Sequence, residues 1–339
     1  MRRWRSQIAL LLLCASAAVV ANDPTLFESH DLLEVELRGP LGAAIEDVDE
    51  RNERAFVLAV EGRELGVTAR VRGNSRVRVC RFPPLRLDFS AADTNGTAFA
   101  GQRKLKLATH CKGSGDYQQY VLSEYLAYRI FNVISDVGFR VRLLRIRYVD
   151  TEEAAADPLV RYGFLIESET ELARRVHGKV KSEPHVVKGD LNTQQTAAVF
   201  AFQYVIGNTD WSLVAAQGDE YCCHNEKLVE IDGEHFPVPY DFDLAGLVHA
   251  RYAKPDPRIG INSVRVRRYR GYCVQGLQLN GVFAGLVEQK GEIMELVESV
   301  PGITDKSRRK RTKYLEKFFR LADDADELAD KLEKRCIDK

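Results

Sequence analysis

Gly207-Asn208-Thr209-Asp210-Trp211, His224-Asn225 and Pro239-Tyr240-Asp241-Phe242-Asp243 follow one another in the second half of the chain. They deliver an acid, an amide and a second acid in that order, each on a turn that follows an apolar run. Magnesium-dependent phosphoryl transfer asks for such a set. One acid orients the attacking hydroxyl, and the amide and second acid hold the metal against nucleotide phosphates.

Working outward, residues 193–206 pack Ala197, Val199, Phe200, Phe202, Tyr204 and Val205 into one apolar helix that runs into Gly207. Two short strands at 228–231 and 235–238 flank Asp232-Gly233-Glu234 and form a hairpin linking Asn225 to Asp241. Helices are expected at 282–300 and 307–334, with a turn at Pro301-Gly302. The first half reads differently. Segments 56–60, 67–71, 85–89 and 104–107 carry strand patterns, residues 116–135 form a buried helix, and strands follow at 141–148 and 162–166.

A chain of this length is long for one core. The expected architecture is therefore α+β, a two-lobed protein-kinase-like fold with a strand-rich N-lobe at 22–166 and a helical C-lobe at 167–339.

The polar string resembles the catalytic segment shared by the HipA kinases and the spore-coat CotH kinases. Val71-Arg72-Gly73-Asn74-Ser75, with Leu85-Arg86-Leu87-Asp88-Phe89 behind it, is similar to the opening of CotH-type domains. That resemblance covers residues 71–243. It implies a kinase using ATP with Mg or Mn, in which Asp210 accepts or orients the hydroxyl proton and Asn225 and Asp241 ligate the metal. Asp243 matches a second acid of CotH-type sequences and is expected as a further metal ligand. Where HipA-type loops carry a histidine two residues after the acid, this chain has Ser212, and Asn225 comes after an insertion.

Kinase-like sites also need a strand lysine for the phosphates and a helix glutamate to position it. Lys104 and Lys106 share one face of a predicted strand, and Glu124 lies in the next helix; the preferred pair is Lys106 with Glu124. Arg72 is a further phosphate contact, beside backbone donors of the Gly73-Asn74 turn.

Two other classes stand beside this reading. One is an envelope pseudokinase, a binding or assembly module without turnover. The other is a metal-dependent hydrolase built from Asp210, His224, Asp232, His235, Asp241 and His249, although these histidines lack the HExxH or HxH spacing of strong metal sites.

Residues 1–21 have the basic start, apolar stretch and small-residue end of a signal peptide, with cleavage expected after Ala21. No other segment reads as a membrane span, and the expected location is secreted or periplasmic. Cys80, Cys111, Cys222, Cys223, Cys273 and Cys336 then form an even set suited to an oxidising compartment. The adjacent Cys222 and Cys223 are expected to bond different partners.

Lys plus Arg and Asp plus Glu both number 49, so composition gives no case for nucleic acid. The exception is the basic run KSRRKRTK at 306–313, which suits an anionic surface and is read first as the solvated start of a helix. The acceptor is an unidentified hydroxyl, with an envelope protein one option.

Overall fold

In a computed structural model the chain is described over residues 26–153, 157–213 and 222–338. The expected signal peptide lies outside the described residues. Seven strands form a closed barrel: β1 (Leu33–Gly39), β2 (Arg54–Val60), β3 (Arg63–Val71), β4 (Leu85–Phe89), β5 (Lys104–Ala108), β6 (Val141–Asp150) and β7 (Leu159–Ile166). Their order around the barrel is β1-β2-β3-β4-β5-β7-β6. Neighbours are antiparallel except at the seam, where β1 and β6 run parallel from Leu33↔Leu144 to Gly39↔Asp150.

Alternation builds this barrel. Val35, Leu58, Val67, Leu87, Leu105, Ile146 and Leu165 point inward and are buried in one core, while Glu34, Arg70, Arg86 and Arg145 alternate with such residues on the outside. Across the seam, Arg145 donates to Glu34 at 3.0 Å and Arg147 to Glu36 at 3.1 Å.

The closure corrects the expected two-lobed kinase-like architecture. A kinase-type N-lobe sheet would leave open edges, whereas here the two edges, β1 and β6, pair with each other. Alternation reports which face of a strand is buried. It is blind to whether the outer strands meet, so an open sheet and a barrel share one pattern.

Ten helices accompany the strands among the described residues. Short α1 (Leu41–Glu46), α2 (Arg76–Val79) and α3 (Ala91–Thr94) decorate the barrel, and the long α4 (Gly115–Ile134) follows β5. After the barrel come α5 (Glu169–Arg175), α6 (Thr193–Ile206), α7 (Leu279–Glu288), α8 (Lys290–Ser299), α9 (Asp305–Leu321) and α10 (Ala325–Glu333). A small sheet, β10 (Glu234–Pro239), β9 (Glu226–Ile231) and β8 (Lys179–Lys181), lies among them. The second core joins α4, through Leu126 and Phe131, to Phe202, Phe242, Phe283 and Phe318. Thus α4 belongs to the first half in sequence and to the second core in space.

Each of the two expected C-terminal helices is divided. Gln289 ends α7 and caps α8, and Asp324 caps α10 by accepting from the Glu327 N–H, which starts a new helix where a continuous one was read.

Among the described residues three disulfides are present, Cys80–Cys111, Cys222–Cys223 and Cys273–Cys336. The expectation that Cys222 and Cys223 take different partners is overturned. Backbone bridges at Phe82↔Cys111 and Tyr272↔Ile337 bring the other four cysteines together in pairs, which leaves the neighbours to each other. No described helix is long and apolar enough to cross a membrane.

Candidate functional site

Asp210 sits on a loop fixed from both sides. Gly207 ends α6 in the left-handed region at φ 64°, and Tyr314 of α9 occupies the space a side chain there would need. Asn208 Oδ1 accepts from the Asp210 N–H at 3.0 Å, Trp211 Nε1 donates to Asn208 O at 3.2 Å, and Arg270 donates to Thr209 O. Asn208 therefore caps the turn. The Asp210 carboxylate does not, and its side chain keeps 38 % exposure.

What faces that carboxylate comes from the segment before β9. His224 Nε2 lies 3.1 Å from Asp210 Oδ1, and Asn225 Nδ2 donates to Asp210 Oδ2 at 3.0 Å and to its backbone oxygen at 2.7 Å. An antiparallel bridge between Ser212 and His224 aligns the two segments. Asn225 O accepts from Tyr240 N–H at 3.1 Å, so the hairpin returns the chain to the same spot. Asn225 and Asp241 both have positive φ, 54° and 62°, a conformation short polar side chains tolerate better than most.

Asp241 meets a residue that sequence reading missed. Arg76, the first residue of α2, is buried and binds three carboxylates: Nη2 donates to Glu124 Oε1 at 2.6 Å and Asp241 Oδ1 at 2.8 Å, and Nε to Asp243 Oδ2 at 2.9 Å. Tyr128 Oη accepts from the Asp241 N–H at 3.0 Å, and Tyr252 hydrogen-bonds Asp243. One cation among three acids divides their ionisation. Burial opposes charge on Asp241, but Arg76 and Arg72 outweigh it and hold that carboxyl low. Burial pushes Asp243 up to about 7 against the pull of Arg76, and raises Glu124 likewise. The Arg76 guanidinium stays charged despite burial, held by Asp243, Glu124 and Asp241.

A cleft between the barrel and α4 is lined by Arg72, Arg76, Lys106, Glu124, Tyr240 and Asp241, with about 40 Å³ open to water. The structure brings Lys106 and Glu124 to one cleft without pairing them. Glu124 is taken by Arg76, and Lys106 Nζ donates to Glu169 Oε1 at 3.0 Å, lying 5.4 Å from the Tyr240 ring centroid. Burial lowers the Lys106 ammonium, against the opposing pull of Glu169. Lys104 is exposed opposite Asp88, two residues earlier at the start of β5, and does not line the cleft.

Asp243 is 5 % exposed and turned toward Arg76 and Tyr252, whereas the Asp241 side chain keeps 36 % exposure. Next to Asn225, Glu226 is fully buried and accepts from Gln203 Nε2 at 2.8 Å. Burial raises its carboxyl well above the usual range.

Of the residues proposed for a hydrolase, Asp210 and His224 meet, but the set as a whole does not assemble. Asp232 lies in the β9–β10 turn, His235 follows it on β10, and His249 faces Arg265, Lys310 and Arg311. Among the described residues no group of three or more His, Cys, Asp or Glu is arranged to hold a metal ion. Arg76 follows the Arg72-Gly73-Asn74-Ser75 turn directly, and that adjacency was its one signal in the sequence; its stretch, Arg76-Val77-Arg78-Val79, reads as an alternating strand. No family model matches the chain, and no curated protein matches it.

Proposed function

We propose that the chain is a CotH-like phosphotransferase that moves the γ-phosphoryl group of ATP to a hydroxyl acceptor with Mg or Mn, on a barrel-and-helix scaffold. The observation that carries this reading is convergence. Arg72, Arg76, Lys106, Glu124 and Asp241, spread over residues 72–241, line one cleft, and Asn225 joins Asp241's neighbourhood to Asp210.

Asp210 receives the acceptor's proton as the hydroxyl oxygen bonds to the γ-phosphorus and the bond to the bridging oxygen of the leaving ADP breaks. His224 and Asn225 fix its carboxylate from two sides. Asp241 and the side-chain oxygen of Asn225 are the ligands we assign to the cation, which would neutralise phosphate charge. The donor set fits magnesium, which takes one or two protein oxygens and completes its shell with phosphate and water. Asn225 commits its NH₂ to Asp210, so its carbonyl oxygen is the group left to offer, and Asp241 is partly open to solvent. Asp243 orients Arg76 in this scheme. Arg76 with Glu124, rather than Lys106 with Glu124, is the cation and acid pair facing the phosphates.

The cleft is too narrow for a nucleotide as it stands, so binding requires the barrel to separate from the helical side. The first test is thermal unfolding of the oxidised protein with Mg or Mn and ATP, beside Asp241→Ala. A metal-dependent rise in midpoint that Asp241→Ala removes supports the site by mass action; no rise at millimolar ATP sinks it. Labelled-ATP transfer follows, with Asp210→Ala expected to keep the thermal shift and lose roughly 10²–10⁴-fold in rate.

The envelope pseudokinase reading has one observation of its own, since Arg76 already satisfies the acids that a metal would use. It predicts no thermal shift and no transfer in wild type.

A further inference from the structure

The basic run at the start of α9 is one end of a longer feature. Ser307, Arg311, Tyr314, Leu315, Phe318 and Phe319 bury one side of the helix. Arg311 is part of that packing, donating to Ser123 Oγ at 2.8 Å and Val248 O at 2.7 Å. The exposed side carries Lys306, Arg309, Lys310, Lys313, Lys317 and Arg320. At 100° per residue these six fall within a sector of about 100°, in a row about 21 Å long. No acid lies inside that sector, and none of the six has an ion-pair partner among the described residues.

Further cations flank the helix. Arg267 stacks 3.9 Å from the Tyr314 ring centroid and donates to Tyr314 O, which ties its loop against α9 and leaves the neighbouring Arg265 and Arg268 exposed. At the far end a groove is lined by Val266, Arg268, Leu321, Lys331 and Arg335. Val266 is 43 % and Leu321 51 % exposed, so large apolar side chains stand within the cationic field.

A chain with equal numbers of acidic and basic residues thus carries six cations without ion pairs on one helix face, with apolar side chains at the edge. We propose that the exposed face of α9 docks onto an anionic lipid bilayer, with the cations at the headgroups and Leu321 and Val266 entering the interface. The row's straightness suits a planar partner, and the apolar side chains favour a bilayer over a nucleic acid, which would leave them without an apolar environment.

The test is co-sedimentation of the oxidised full chain with vesicles of phosphatidylglycerol in phosphatidylcholine, and with pure phosphatidylcholine, at low and high salt. Binding is expected on the anionic vesicles alone and should weaken with salt. At about fivefold per cation near the surface, the triple variant Lys310→Glu, Lys313→Glu, Lys317→Glu should lose 100-fold or more in partition. Leu321→Ala, which keeps every charge, should lose several-fold. The three lysines are exposed, and an unchanged melting transition shows that the variant is folded. If it melts early, Lys313→Ala and Lys317→Ala singly should each lose about fivefold. Equal binding to neutral vesicles, a triple variant indistinguishable from wild type, or binding to duplex DNA but not to anionic vesicles would each overturn the proposal.

Discussion

The barrel and the cleft beside it both use ion pairs, and they differ in what surrounds them. On the barrel seam, Arg145 with Glu34 and Arg147 with Glu36 lie on the outer surface, at side-chain exposures of 27–68 %. At the cleft, Arg76 has 9 % side-chain exposure and serves three acids. Exposed pairs gain little because water screens them and ordering costs entropy, whereas a buried charge that loses its partner has nowhere to go. The seam is held by backbone pairing and by the apolar lumen. The cleft is held by charges that need one another.

The sharpest way to break this comparison is Arg76→Ala. It leaves Glu124, Asp241 and Asp243 without their shared cation, and urea unfolding should report a loss of about 3–5 kcal/mol. A loss below about 1 kcal/mol would mean that the acids find protons or water cheaply, and the contrast with the seam would fail.

The next effect is pH dependence. Asp243 has its folded value raised to about 7 from an ordinary value of 3.8. Its contribution is therefore full below the ordinary value and is lost as pH rises through 7. It should make stability fall between about pH 4 and 7, by an amount on the order of 4 kcal/mol, and Glu124 shifts the same way. Asp241, shifted down, acts only below that window, where its contribution is lost as pH falls. Chemical denaturation across pH, with Asp243→Asn flattening the profile, measures this; a wild-type profile already flat from 4 to 7 would contradict it.

Glu226 gives a smaller test of the same physics. A buried neutral acid is matched by an amide, so Glu226→Gln should change stability by about 1 kcal/mol or less, while Glu226→Ala should cost about 2–3 kcal/mol by orphaning Gln203 and opening a cavity. Similar losses for both variants would show that the group is charged. The smallest effect belongs to the seam, where Arg145→Gln should shift stability by about 0.5 kcal/mol or less, and a double-mutant cycle with Glu34→Gln would reveal any larger coupling.

What could be read in advance follows the range of the interactions involved. The helix at Thr193–Ile206 was legible to the residue, because an apolar run ends in a glycine that must adopt positive φ. The strand at Leu85–Phe89 was equally plain from its alternation. Barrel closure was not, since Leu33 and Leu144 pair across more than 100 positions and no local pattern records it. Asp210, Asn225 and Asp241 stand out in the sequence as candidates because each sits on a marked turn. Arg76 escaped because its importance lies in partners 48, 165 and 167 residues away. The Lys106 pairing failed for the same reason, as Glu169 lies 63 residues on.

The small sheet has a bearing on solubility that its role in linking Asn225 to Asp241 does not suggest. A closed barrel offers no edge to a passing strand, whereas β10-β9-β8 has two edge strands, of which β10 is already engaged by the Asn192 N–H at His235 O. On one side β8 is only Lys179-Val180-Lys181, too short to template pairing and charged at both ends. On the other, β10 contains Pro237 and Pro239, which lack the N–H that an added strand would need. Val180, 41 % exposed between its lysines, is thus the position where replacing Lys179 and Lys181 by apolar residues would turn a blunt edge into a seed for aggregation.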